Sequence, residues 1–181
     1  MKLLLLMSAF LMSAAASAKT IDTKLSEVSW EGSKITGSKH NGKIPVKSGE
    51  LVFDKKNKFK NGEIVLSIAE FTVEDLKGKT AKKFIKHMKS PDFFNAEKWS
   101  DAKLEIKEMK KGKAKALMTV KDRTQKVDFK YKKKKGFYVG DFTFDRTQFG
   151  MTYGSGSFFK NLGDKVISDD VKISFKIKLQ E

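Results

Sequence analysis

The sequence predicts a mostly-β domain, an antiparallel barrel of about eight short strands with one amphipathic helix inserted midway. Three observations predict it. The chain ends in strict alternation, with Val171, Ile173, Phe175, Ile177 and Leu179 interleaved with Lys172, Ser174, Lys176 and Lys178. That is a strand with one apolar and one cationic face. Turn-forming clusters recur upstream at hairpin spacing. The chain also has only two Pro and no Cys, with Val, Ile and Phe gathered in alternating runs that favour sheet over helix. A closed or nearly closed barrel satisfies strand edges, and outward Lys rows guard any that stay open; a two-sheet sandwich is the competing architecture.

The elements follow in order. Val28 and Trp30 alternate with Ser29 and Glu31 as a first strand, and Gly37-Ser-Lys-His-Asn-Gly42 reads as a turn. Gly49 to Asp54 is a short strand, Lys55 to Asn61 a charged loop, and Ile64, Leu66 and Ile68 mark the next strand. Ala81, Phe84, Ile85 and Met88 then fall at i, i+3, i+4 and i+7, with Lys82, Lys83, Lys86 and Lys89 opposite. This is the one helix, with Thr80 as N-cap and Ser90-Pro91 as its stop. Strands resume at Lys103 to Lys107, Lys113 to Val120 and Lys126 to Tyr131, with turns at 110–113, 121–125 and 132–136. Phe137 to Phe144 follows, with a bulge expected near Gly140. A glycine-rich loop then carries Phe149, Tyr153, Phe158 and Phe159 to the last strand. So many aromatic residues imply that the loop is folded against something apolar.

Met1-Lys2, the apolar run Leu3 to Met12 and Ala16-Ser17-Ala18 read as a secretory signal peptide over residues 1–18. The apolar run is shorter than the roughly 20 residues of a membrane span, and no Cys follows it for lipidation. The mature domain is expected over 19–181, in the periplasm or outside the cell. The formal charge of +16 suits a polyanion, anionic lipid headgroups or plain solubility. Export argues against nucleic acid as a partner. The outward placement of the Lys residues reads as a solvated face, with transient contact to an anionic membrane as its functional counterpart.

Catalytic chemistry is thinly supplied. The two His, His40 and His87, lie in no nucleophile elbow or metal-binding spacing and read as surface hydrogen-bonding groups. Asp164, Asp169 and Asp170 fit no calcium loop and read as turn formers paired with nearby Lys. Gly154-Ser-Gly156 lacks the Lys-Ser/Thr of a phosphate loop. No catalytic residue, metal or cofactor is assigned. The fifteen Phe are the richer signal. On barrel strands, inward aromatic residues either fill a core or line a cavity for an apolar ligand. The helix could then form a flap over the barrel mouth, with Phe84, Ile85 and Met88 turned inward.

Three segments carry a resemblance. They are Trp30-Glu-Gly32 with His40-Asn-Gly42 and Lys47-Ser-Gly-Glu-Leu51; His87-Met-Lys-Ser-Pro-Asp-Phe-Phe-Asn-Ala-Glu-Lys-Trp99; and Asp145-Arg146 through Phe149-Gly150 and Tyr153-Gly-Ser-Gly-Ser-Phe-Phe-Lys-Asn-Leu-Gly-Asp164, with Asp169-Asp170. In order and spacing the chain resembles the YceI-like proteins, exported polyisoprenoid-binding proteins of lipocalin-like form. It departs from their pattern at Trp99-Ser100 and Thr124-Gln-Lys-Val127. The resemblance implies an eight-stranded barrel with a long apolar tunnel that holds a polyisoprenoid, an isoprenoid quinone or another long-chain lipid. No sharp motif marks its pocket. Alternation selects Trp30, Phe53, Leu66, Phe84, Met88, Phe94, Phe129, Phe144, Phe175 and Ile177 as tunnel residues, each of which plain core packing would also explain.

Overall fold

The computed structural model describes residues 16–180, and in it one antiparallel sheet of ten strands curls into a half-barrel around an apolar interior. The strands are β1 (Ser17–Thr20), β2 (Glu27–Lys34), β3 (Lys39–Lys43), β4 (Val46–Phe53), β5 (Phe59–Ser67), β6 (Asp101–Lys110), β7 (Lys113–Val120), β8 (Arg123–Lys134), β9 (Phe137–Asp145) and β10 (Ile167–Lys178). Helix α1 (Gly78–Met88) lies between β5 and β6. The order across the sheet is β1-β4-β5-β6-β7-β8-β9-β10-β2-β3.

The strand count is ten, not eight. Eight strands fall on the eight alternating segments, and β1 and β3 are additional. β3 occupies the stretch read as a turn. The chain reverses only over Ile35–Ser38, and His40, Asn41 and Gly42 then pair with Gly32, Glu31 and Trp30. Their turn-like composition is misleading because Gly42 serves a close approach. A Cβ there would stand 2.0 Å from the Thr72 carbonyl oxygen and 2.8 Å from the Trp30 indole nitrogen.

Between β3 and β4 stand only Ile44 and Pro45. Pro45 has no N–H and interrupts the ladder. The chain pairs with β2 before it and with β5 after it. Across the break, the Ile44 N–H donates to Val28 O (3.0 Å) and the Ser67 N–H to Pro45 O (2.8 Å). The two flanks of the curled sheet are thus joined by one piece of chain. β1 seams the other gap. It pairs with β4, while the Asp22 N–H donates to Lys178 O (2.9 Å) and the Gln180 N–H to Thr20 O (2.8 Å). These joins leave little open edge. Of the expected signal segment, residues 1–15 lie outside the described residues. Ser17 and Ala18 pair with Phe53 and Val52, so cleavage after Ala18 would leave Lys19 and Thr20 in β1.

Other expectations shift by a turn or a register. Thr80 is inside the helix. Lys77 is the N-cap, without a side-chain capping bond; its Nζ donates to Glu74 O (3.2 Å) instead. The stop is where Pro91 puts it, with Lys89 as C-cap. The Lys132 to Lys134 run, read as a turn, extends β8, and only Lys135-Gly136 reverses the chain. Gly140 carries no bulge: its pairings with Tyr131 and Phe175 are in continuous register. It is glycine because the Phe175 ring lies over it, 2.7 Å from where a Cβ would stand. The loop before β10 divides in two. Phe149 and Met151 are fully buried and Tyr153, about half exposed, packs on Phe93 and His87, whereas Phe158 and Phe159 face solvent, contrary to the expectation that the loop aromatics pack inward.

Candidate functional site: an apolar cavity with a polar mouth

Inward side chains of the sheet and the inner face of α1 enclose a cavity of about 460 Å³. That volume lies within the range of sites for organic ligands. Its wall is nearly all hydrocarbon, from β2 (Val28, Trp30) through β5 and β6 (Ile64, Leu104) to β10 (Ile173, Phe175). Period-2 alternation puts these residues on one face of their strands, as the sequence pattern requires.

The two ends of the cavity differ. Lys34, Ser38 and Lys165 line it and are exposed, so it opens between the β2–β3 turn and the loop preceding β10. Ser33, His40, His87, Tyr153 and Ser168 add polar atoms at this mouth. Away from the mouth the lining becomes aromatic. Phe129 stacks on Phe142 (5.4 Å between centroids) and meets Phe175 edge-on (5.4 Å). Beyond them Tyr131 and Tyr138 lie 5.8 Å apart, and burial raises the Tyr131 phenol above its usual pKa.

Nine of the ten tunnel residues selected from alternation line this cavity: Trp30, Leu66, Phe84, Met88, Phe94, Phe129, Phe144, Phe175 and Ile177. Phe53 does not. It is buried at the far end of β4, where it meets Phe59 edge-on. Alternation gives the side of the sheet but not the position along the barrel axis. The helix contributes Phe84 and Met88 to the lining, while Ile85 packs beside them without reaching it. Trp30 ties this face together. Its ring stacks on Phe71 (4.7 Å) and Phe84 (6.0 Å), and its Nε1–H donates to Thr72 O (3.0 Å).

Both His residues sit at the mouth with a carboxylate behind them, a pairing the sequence reading did not make. His40 Nδ1 is 2.7 Å from Asp75 Oδ2, and its ring packs on Phe84 (4.9 Å). Burial raises the Asp75 pKa, but the Asn41 N–H and the His40 ring outweigh it and hold the carboxyl below its usual value. His87 Nε2 is 3.2 Å from Asp92 Oδ2, and its ring meets Tyr153 (4.7 Å) and Phe93 (5.1 Å) edge-on.

Arg146 organises the mouth. Only 3% exposed, it donates from Nε to Ser168 O (3.0 Å), from Nη1 to Met151 O and Tyr153 O (3.0 Å), and from Nη2 to Ile167 O (3.2 Å) and Asp169 Oδ1 (3.3 Å). A guanidinium has five N–H donors, so none is left for a ligand. Asp169 Oδ2 in turn accepts from Ser155 Oγ (2.9 Å) and Ser157 Oγ (2.7 Å). The acid read as pairing with Lys therefore pairs with Arg and Ser. The sequence signal for this hub was the motif that holds Asp145-Arg146 and Asp169-Asp170, and nothing in its spacing paired Arg146 with Asp169.

A YceI-like domain model matches residues 20–179, almost the whole described chain. The chain belongs to the YceI-like family. Solved structures agree on the fold. BcnA of Burkholderia cenocepacia is 17% identical, with a TM-score of 0.64 over 87% of this chain and 98% of that one. A polyisoprenoid binding domain from Saccharophagus degradans, implicated in plant cell wall breakdown, is 11% identical, with a TM-score of 0.60 over 88% and 95%. The YceI protein of Campylobacter jejuni is 14% identical, with a TM-score of 0.52 over 98% and 91%. No curated protein matches the chain significantly. In this YceI-like domain the motif residues of all three segments converge at the mouth. Trp30, His40 and Gly42 form one side, His87 and Phe93 the next, and Arg146, Tyr153 and Asp169 the third, with the Arg146 guanidinium 6.0 Å from the Phe93 ring centre. Of the first segment's remaining residues, Gly49 makes room for Ile21 away from the mouth and Leu51 lines the cavity.

Proposed function

We propose that this YceI-like protein binds a long apolar lipid, a polyisoprenoid, an isoprenoid quinone or a similar acyl chain, with its tail in the cavity. The observation that carries this reading is the segregation of the lining: hydrocarbon and aromatic surface along the barrel, with most polar groups gathered at the open end. A tail gains roughly 0.8 kcal/mol for each CH₂ it buries, and a few polar groups suffice to orient a headgroup. Ser38, His40, His87 and Tyr153 have the place for that role, since the donors of Arg146 are all engaged. The likeness in fold to the polyisoprenoid binding domain from Saccharophagus degradans supports the same reading. We place the protein in the periplasm or beyond it, on the strength of its leader-like N-terminus, as a carrier or sequestering protein and not an enzyme.

The test is native mass spectrometry of freshly purified protein, organic extraction of whatever it holds, and titration with a detergent-dispersed polyprenyl quinone. Extractable lipid, or stoichiometric uptake of the quinone that is weakened by Phe129→Asp, is the expected result. A protein that carries no lipid and takes up no quinone would overturn the reading.

A further inference from the structure

Three of the large apolar residues exposed among the described residues gather beside the mouth. Ile35 is 66% exposed, Phe158 59% and Phe159 49%. Ile35 is at the β2–β3 turn, and its N–H donates to Val166 O (3.2 Å). Phe158 and Phe159 cap the neighbouring loop, their N–H groups both donating to Ser155 O (3.2 and 3.0 Å). Ser155 is fully buried and bridges to Ile167, which lines the cavity. The two tips are thus fastened to the rim of the opening. Lys34, Lys160 and Lys165 are exposed around them, and among the described residues none forms an ion pair. Surface aromatic residues held out on short, well-bonded turns and ringed by cations match an interfacial membrane contact. A partner protein's acidic groove would satisfy the charges but would not need to lie at the cavity opening.

We infer that this rim is the membrane-docking surface, with Phe158, Phe159 and Ile35 entering the headgroup region of an anionic bilayer and Lys34, Lys160 and Lys165 contacting its phosphates. The inference rests on the lipid-binding reading for its purpose, since docking here puts the mouth against the bilayer from which a tail would be drawn. The occupant is the anionic bilayer itself, chosen on charge complementarity and on continuity of the patch with the mouth.

The experiment is flotation of the full chain with vesicles of phosphatidylcholine alone and of phosphatidylcholine mixed with phosphatidylglycerol, at low and moderate salt. Binding to the anionic vesicles that falls in salt is expected, with a loss of at least tenfold for Phe158→Ser/Phe159→Ser and several-fold for Lys160→Glu/Lys165→Glu. A Phe158→Trp variant should gain a blue-shifted emission component on anionic vesicles only. Absent binding, or binding that neither double variant weakens, overturns the inference. So does size-exclusion evidence that the two Phe residues join two copies of this chain. Uptake of detergent-dispersed quinone is measured without vesicles, so its failure would sink the lipid-binding reading while leaving docking intact, and the reverse result would sink docking alone.

Discussion

At the inner end of the cavity, Phe129, Phe142 and Phe175 hold one another by ring contacts on three neighbouring strands, and no ion pair or side-chain hydrogen bond is involved. At the mouth, Arg146 alone engages four backbone carbonyls and a carboxylate, and Asp169 passes that order on to Ser155 and Ser157. The first region follows from strand geometry, because side chains on the same face of adjacent strands must meet. The second is irregular backbone whose carbonyls need partners that no ladder supplies. A binding barrel needs both: a wall stiffened by regular pairing, and an opening whose loops are fixed by polar bonds so that the wall need not be closed.

The largest break in this comparison should come at Arg146. Arg146→Met has similar bulk but removes all five donors, leaving the carbonyls of Met151, Tyr153, Ile167 and Ser168 and the Asp169 carboxylate without them. Removing one partner from such a buried charged network costs about 3–5 kcal/mol. Urea denaturation should show that loss, and amide exchange should quicken across residues 151–169 while β7 and β8 stay protected. Arg146→Lys should recover little, because Lys has no planar fork. A variant as stable as the wild type would show that the loop is held by something else.

A smaller effect is expected at the other end. Gly140→Ala introduces a Cβ 2.3 Å from Lys130 O and 2.7 Å from Phe175 Cζ. The Phe175 ring must swing and β9 must shift, at a cost of about 1–3 kcal/mol. The measurement that sharpens the comparison is quinone uptake. Gly140→Ala should weaken it by moving the wall, with exchange at the mouth unchanged. If the variant instead loosens residues 151–169, the two regions are one cooperative unit.

The same division decides what could be read from sequence. Val171 to Leu179 alternates cleanly because one face of β10 is buried and the other wet, and eight strands were legible on that basis. His40-Asn41-Gly42 was not, since a glycine that admits the Thr72 carbonyl looks identical to a glycine that turns a chain. Lys132 to Lys134 carries no strand signature because this end of β8 is exposed, so burial stamps no pattern on it. For the site, alternation placed nine residues on the cavity wall and misjudged Phe53 only along the barrel axis. The mouth was the illegible part. Arg146 with Asp169, His40 with Asp75 and His87 with Asp92 are contacts between residues 5 to 35 positions apart, and no periodicity joins them.

The smallest effect is expected at Asp145, where the loop leaves β9. Its Oδ1 accepts from the Thr147 N–H (2.8 Å) and Oγ1 (2.6 Å), capping the 3₁₀ turn Arg146–Phe149. Burial pushes the carboxyl pKa up, but the bonds from Thr147 and Gln148 outweigh it and hold the group below its usual 3.8. A carboxyl depressed by folding contributes stability that is complete above its unfolded value and is lost as pH falls through the folded one. Asp145→Asn keeps an oxygen for Thr147 but not the charge. It should cost up to about 1 kcal/mol near neutrality and almost nothing in acid well below 3.8. Paired urea melts of variant and wild type at pH 7 and near pH 2 would show the gap closing. A gap that stays constant with pH would mean that the cap works through shape alone.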